Sequence, residues 1–442
     1  MAELPRRAVT RSARLAALPL GHAGRVALGM GKRLGGKPAE AVTAELQSRS
    51  AAQLFKVFGE LKGGAMKFGQ ALSVIEAAMP EEAIAPYRQA LTKLQETAPP
   101  MPEATVAQVM ASEFGDQWRD RFQDFPMQPA AAASIGQVHR ATASDGRTVA
   151  VKIQYPGADK ALISDLNQMV RMGRLFGSWV PGLDIKPLLE ELRARIAEEL
   201  DYIHESNNQR QFAAAFEGDP EYEIPHVLAA SPVVIISEWV EGRPLADVIA
   251  NGTQAERDHA GLLYQRFLLS SPQRAGLLHA DPHPGNFRIT EAGKLAVLDY
   301  GAAASLPDGL PPAIGRMLRI ALEGDAAGVL AGLRAEGFVK PGMDIDPQEL
   351  LDYLLPFVEP LGAEEFHFSR EWLRDLFSRI RDPRTEEFSI GLKLNLPPSY
   401  ALIHRVWLGA TGVTCQIGAS VRMREEVERW LPGFADDPFP QS

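Results

Sequence analysis

Three polar side chains in one stretch have the types and the spacing that phosphoryl transfer needs. Residues 277–301 read LLHADPHPGNFRITEAGKLAVLDYG, in which Asp281 is followed five residues later by Asn286, and thirteen residues after that by Asp299. One carboxylate can orient or deprotonate an acceptor, while an amide and a second carboxylate hold Mg²⁺ against phosphate oxygens. Magnesium keeps several waters and takes phosphate oxygens as further ligands, so a protein amide and one carboxylate suffice. Taken singly, each residue has a plainer role: an Asp before Pro forms turns, an Asn before an apolar residue caps, and Asp-Tyr-Gly is itself a turn.

The joint pattern is far more specific than its parts. Protein kinases place an Asp and an Asn five residues apart in the catalytic loop, with Asp-Phe-Gly further on, and the order here is the same with Tyr300 in place of Phe. Such a site needs further parts upstream. Arg147-Thr-Val-Ala-Val-Lys152-Ile alternates like a strand and matches the kinase strand whose lysine binds the α and β phosphates. Before it, Pro129-Ala-Ala-Ala-Ala-Ser-Ile-Gly-Gln-Val138 aligns with the phosphate-covering loop, with Ala131 and Ala133 at two glycine positions, Ser134 following, and Gly136 and Val138 retained. Alanine still lets backbone approach phosphate, but its Cβ penalises positive φ, so this loop should be stiffer.

A phosphate-binding lysine needs an acidic partner. Residues 187–212 read as an acidic helix carrying Glu198, Glu199, Asp201 and Glu205. Asp201 and Glu205 share a face at i, i+4 while Glu199 points elsewhere, so two lysines could be engaged, with Glu205 assigned to Lys152. Many of these acids also suit a solvated face. Residues 233–242, VVIISEWVEG, read as a buried strand entering a polar turn. That is the form of an interlobe hinge, whose backbone near Glu238 and Val240 would bind adenine. Residues 311–435 read as helices without a catalytic motif, and the activation loop and Ala-Pro-Glu segment of ordinary protein kinases are missing. His279 and His283 suit a turn or a supporting role better than metal ligation.

Composition bounds the rest. The chain has 442 residues, 45% hydrophobic and 23% charged, enough for two lobes with real cores. A net charge of −10 argues against nucleic acid as a partner. Cys415, the single cysteine, excludes an intrachain disulfide framework and a cysteine-rich zinc site, which suits a reducing, cytoplasmic setting. No run of about 18 uncharged apolar residues suggests a membrane span. Residues 1–37 differ: Arg6, Arg7, Arg11, Arg14, Arg25, Lys32, Arg33 and Lys37 stand against Glu3 alone. With interspersed leucines this arm reads either as a peripheral anchor for anionic lipid or as a solvated tail, and His22 and Arg25 interrupt any signal-peptide core. In residues 40–95, of helical spacing, Gly63 and Gly64 precede Lys67, and Gly69 and Gln70 follow it. The spacing fails as a Walker loop, and on residue physics alone Lys67 is a solvated helix residue.

These motifs carry a family resemblance. Lys67-Phe-Gly-Gln70, the Ala-rich loop with Ser134-Ile-Gly-Gln137, Val149-Ala-Val-Lys-Ile-Gln-Tyr-Pro-Gly157, Glu199-Leu-Asp201, His279-Ala-Asp-Pro-His-Pro-Gly-Asn286 and Asp299-Tyr-Gly301 together resemble the UbiB or AarF-like atypical kinases, over roughly residues 50–430. The resemblance implies an α+β, protein-kinase-like two-lobed fold with an N-terminal helical extension and a mostly helical C-lobe. Its divisions would be a basic arm at 1–39, the extension at 40–100, an N-lobe with inserted helices and hinge at 101–242, and a C-lobe at 243–442. It implies ATP and Mg²⁺ as cofactors, ATPase activity, and support of isoprenoid-lipid metabolism, notably ubiquinone, with lipid-biosynthesis proteins as partners. By residue, it implies that Lys152 pairs with Glu205, that Asn286 and Asp299 hold Mg²⁺, and that Asp281 is the catalytic acid. Lys67 and Gln70 would fold over the place of a protein substrate, with Lys67 held by Glu199 and Asp201. Two other readings stay open. One is a small-molecule phosphotransferase of the choline or aminoglycoside kinase type, whose catalytic loop is similar; the other is a nucleotide-dependent lipid-binding scaffold.

Overall fold

The computed structural model describes residues 100–133, 135–157, 200–381 and 385–435. These divide into two compact units, residues 100–202 with 231–236, and residues 203–230 with 237–435.

In the first unit, helix α1 (Glu103–Phe114) ends at Gly115, whose φ of 86° suits only glycine readily. Strands β1 (Phe122–Asp124), β2 (Ala131–Ala133), β3 (Gly136–Ala143) and β4 (Thr148–Gln154) follow. β4 alternates as its sequence demands: Val149, Val151 and Ile153 are buried, and Ala150 and Lys152 lie half-exposed on the other face. It pairs antiparallel with β3, whose other edge is shared by β1 and β2. Below the sheet, Trp118, Phe122 and Phe125 meet edge-on, with ring centroids 5.0 to 6.1 Å apart. His139, fully buried, stacks on Phe125. Its Nδ1 lies 2.9 Å from the Pro126 carbonyl and must donate to it. Nε2 is therefore an acceptor, filled by the Gln137 amide at 2.8 Å, while Gln137 Oε1 takes the Met101 N–H at 2.7 Å. This relay fixes the Pro-rich approach to α1 onto β3.

Helix α2 (Tyr202–Ala215) leads into the second unit. It starts one residue after Asp201, so the expectation of one continuous helix through Asp201 and Glu205 is corrected; Asp favours helix starts over interiors because it can serve unsatisfied N–H groups there. β5 (Tyr222–Glu223), β6 (Val227–Ala230), β7 (Val234–Glu238) and β8 (Arg243–Pro244) come next. The start of β7 belongs to the first unit, where the Gln154 N–H reaches the Val233 carbonyl at 2.9 Å. Its end belongs to the second.

After α3 (Leu245–Asn251), helix α4 (Gln254–Ala275) is the axis of the second unit. Thr253 and Glu256 close a capping box at its start, and Gly276, at φ 64°, ends it. Its buried face places Tyr264, Phe267 and Leu268 in a core with Phe212, Phe216, Tyr222, Phe287 and Tyr300. Arg266 on the same helix binds Glu221 and, at 2.6 Å, Glu426, tying α4 to β5 and to the last helix. Strands β9 (Leu277–His279), β10 (Phe287–Ile289), β11 (Leu295–Val297) and β12 (Ala303–Ser305) follow. They form a sheet of order β5-β11-β10-β8 and a separate β12-β9 pair.

The remainder is helical, as its sequence predicts: α5 (Pro312–Leu322), α6 (Ala326–Ala335), α7 (Pro347–Gly362), α8 (Arg370–Arg381), α9 (Glu386–Lys393), α10 (Pro398–Ile417) and α11 (Met423–Trp430). A short pair, β13 (Phe366–His367) with β14 (Ser420–Val421), stitches α7 and α10 to their followers. Among the described residues no helix is long and apolar enough to cross a membrane.

Candidate functional site

A hairpin brings the separated metal candidates together. β10 and β11 pair in register, Phe287 opposite Val297, and the Leu298 N–H donates to the Asn286 carbonyl at 2.9 Å. Asn286 therefore stands at one foot of the hairpin and Asp299 just beyond the other. The thirteen-residue gap is the length of this hairpin.

The loop before it is held at each step. Pro284–Asn286 forms a 3₁₀ turn whose first N–H groups include that of Gly285, accepted by His283 Nδ1 at 3.1 Å. Tyr264, wholly buried on α4, donates its hydroxyl to the Pro282 carbonyl at 2.7 Å. Burial first, and then the charge of Asp281, push the Tyr264 phenol well above its ordinary pKa, so it stays a donor. The Asn286 amide donates Nδ2 to the Asp281 carbonyl at 3.2 Å, which fixes its Oδ1 as the end left for a cation.

The Asp299 turn is gripped from two sides. Its Oδ1 accepts the Gly301 N–H at 3.0 Å, and its carbonyl takes Nε2–H of His279 at 2.7 Å. His279 sits fully buried among Phe212, Phe267, Phe287 and Tyr300. Burial lowers its pKa, so the ring is neutral and serves as a donor at Nε2. This is the supporting role expected of it. From α2, the Glu205 carboxylate lies 3.7 Å from where a Cβ on Gly301 would stand, and Asp299 Oδ1 lies 3.3 Å from the same point. Both carboxylates thus stand close beside this glycine. Among the described residues no group of three or more His, Cys, Asp or Glu is placed to hold a metal alone. The donors at hand, an amide oxygen and a carboxylate, are hard oxygens suited to Mg²⁺ completed by nucleotide and water.

The first unit places its own candidates in a row. Ala131 faces Val138 across β2–β3, and Val138 faces Lys152 across β3–β4, so all three occupy one line of one sheet face. The Ala-rich run is thus one arm of a hairpin. Gly136 opposes both Ala133 and Gln154, and a Cβ there would run into the Ile153 carbonyl, so this glycine serves close strand approach. Lys152 Nζ stands 5.1 Å from the centre of the Tyr202 ring, and Gln154 Nε2 donates to the Leu200 carbonyl at 3.3 Å. Glu205 belongs to the second unit.

At the end of β7, the Glu238 N–H donates to the His226 carbonyl and its carboxylate accepts the His226 N–H, both at 3.0 Å. Val240 is buried two residues on. Asp201 is exposed just ahead of α2, whereas Lys67, Gln70, Ser134 and Glu199 lie outside the described residues. Sequence reasoning passed over Tyr202, Asn208, Phe212 and Tyr264. Tyr264 carried a signal, a phenol inside an apolar helical stripe, which must find a partner when buried; Asn208 carried none.

Comparison with known proteins identifies the family. Residues 93–332 match the ABC1 atypical kinase-like domain. The chain is 28% identical over 400 residues to Atypical kinase COQ8, mitochondrial, of Schizosaccharomyces pombe, covering 88% of this chain and 64% of that one. It is 29% identical over 367 residues to Protein ACTIVITY OF BC1 COMPLEX KINASE 3, chloroplastic, of Arabidopsis thaliana, covering 81% of this chain and 49% of that one. The chain thus spans about half to two thirds of the length of these relatives. A solved structure of Rv3197 with erythromycin, from Mycobacterium tuberculosis, is similar at a TM-score of 0.70 and 43% identity, covering 90% of this chain and 100% of that one. With more than half of its length matched, and with a mixed helix-and-sheet fold whose parts follow the kinase order, the chain belongs to the ABC1 atypical kinase-like domain family.

Proposed function

We propose that this chain binds MgATP and acts as an atypical kinase or ATPase serving isoprenoid-lipid metabolism of the ubiquinone type. The observation that carries the reading is the hairpin-joined set of Asp281, Asn286 and Asp299, with the Asn286 amide oriented by the Asp281 carbonyl and the Asp299 turn held by His279. The names of the COQ8 relatives support the pathway.

In this reading Asn286 Oδ1 and the Asp299 carboxylate are the protein ligands of the metal. Asp281 orients the attacking hydroxyl or water and accepts its proton. Lys152 pairs with the α and β phosphates, and the hairpin carrying Ala131, Ala133, Ser134, Gly136 and Val138 covers them. Glu238 and Val240 bind adenine through backbone groups. The Glu238 N–H is already given to His226, so that group is not the one that meets the base. Glu205 is the acidic partner the lysine site requires, and Lys67, Gln70, Glu199 and Asp201 regulate access of a protein substrate. When bound, Mg²⁺ supplies charge neutralisation at the β and γ oxygens. The basic arm would hold the chain peripherally at an anionic membrane.

Replacing Asp299 tests the metal assignment directly. Asp299→Asn is expected to abolish Mg²⁺-dependent nucleotide binding, measured by titration with ATP at fixed Mg²⁺, and an unchanged affinity would contradict it. One observation favours a second reading, a phosphotransferase acting on a small molecule: the relative at 43% identity that was solved with erythromycin. ATP turnover stimulated by erythromycin, with none from lipid vesicles, would select it.

A further inference from the structure

One face of α2 lies along the Asp299–Gly301 turn. Glu205, Asn208 and Phe212 follow at i, i+3 and i+7, so they share that face. All three are buried. Phe212 packs its ring against Tyr300, with centroids 5.3 Å apart, and against His279 at 6.2 Å. Asn208 makes the polar contact: its Nδ2 donates to the Tyr300 carbonyl at 3.1 Å.

The partner of that bond decides what it does. The Tyr300 carbonyl and the Gly301 N–H belong to the same peptide group, and that group is planar and trans. Its carbonyl is held by Asn208, and its N–H holds Asp299 Oδ1 at 3.0 Å. Because the two bonds leave one rigid plane in opposite directions, fixing the carbonyl fixes the direction of the N–H. Gly301, without a Cβ, would otherwise let this plane rotate at low cost. Rotation would remove the hydrogen bond that orients the Asp299 carboxylate and would turn a carbonyl oxygen toward it.

We propose that Asn208 is a positioning residue for the metal carboxylate, acting through the Tyr300–Gly301 peptide plane, so that α2 and the Asp299 turn move as one piece. The proposal rests on the assignment of Asp299 as a metal ligand. An ordinary buried amide would only add stability, and the neighbouring Gln209 is such a group: it is equally buried and donates to the Pro225 carbonyl at 2.7 Å, away from the turn. The pair makes an internal control.

The experiment titrates Mg²⁺ at fixed ATP and reads nucleotide binding for the full chain and for Asn208→Ala, Gln209→Ala and Asp299→Asn, with thermal midpoints recorded for each. Loss of one neutral hydrogen bond supports an effect of up to about tenfold. Asn208→Ala is expected to raise the Mg²⁺ midpoint about tenfold, while Gln209→Ala, with a similar loss of thermal midpoint, moves it less than about twofold. Equal shifts in the two variants would overturn the proposal. An unaltered Mg²⁺ midpoint in Asp299→Asn would overturn the underlying metal assignment instead. Asn208→Ser keeps a polar group on the helix but is too short to span the gap; it gives the same comparison if the alanine variant does not fold.

Discussion

The buried imidazole of His139 shows how a single residue sets the conditions under which this chain holds together. His139 is enclosed by Phe125, Gln137 and Pro126, and burial lowers its pKa more than the hydrogen bond to Pro126 raises it. The neutral ring donates once and accepts once, which is what the relay from Met101 requires. A second ring proton would face the Gln137 amide donor. The unfolded chain therefore takes up the proton first, near the usual histidine value of about 6.5. Stability from His139 is fully present above that pH and is lost as pH falls toward the depressed folded value. The thermal midpoint is expected to drop between about pH 7.5 and about pH 5.5, and His139→Asn should flatten that dependence. An equally steep fall in the variant would show that the relay is not the titrating element. His139 was not legible as a structural hub, because one polar letter inside a strand pattern does not reveal what lies opposite.

At the level of elements, what the sequence revealed and what it hid divide along local and long-range pairing. Spacing predicted the strand of Lys152 and the strand that runs into the turn at Glu238, since each follows from local alternation or a short apolar run. The break at Asp201 escaped it, because an acidic helical pattern reads continuously through a residue that starts a helix equally well. The clamp of Asn208 on Tyr300 joins positions 92 apart, and nothing local marks it. Gly136 is a sharper case. In a phosphate loop a glycine suggests backbone approach to ligand, yet here its missing Cβ makes room for the Ile153 carbonyl of β4. Gly136→Ala should therefore push β3 from β4 and cost about 1–3 kcal/mol, the range for overpacking a filled interior, seen as a lower denaturation midpoint by chemical unfolding. A variant as stable as the parent would mean that β4 yields at no cost.

For the whole molecule, the second unit holds its candidate residues on a continuous aromatic core around α4, while the first presents Ala131, Val138 and Lys152 on an antiparallel sheet. Kinase-like order along the chain was legible because the motifs are local words in a fixed sequence. The helices after Ser305 were legible as helices, but their sequence names no acceptor, since apolar helix faces pack alike whatever the reaction. Charge is uneven at this scale, with a net −10 for the chain against the basic residues 1–37, and that contrast is the reason for expecting an anionic surface as a partner. The most direct measurement is MgATP turnover by the purified full chain with and without anionic-lipid vesicles, using Asp299→Asn to subtract contaminating ATPases. Turnover above the variant that rises with vesicles is the expected result. No turnover above the variant in either condition would contradict the enzyme and leave a nucleotide-dependent scaffold.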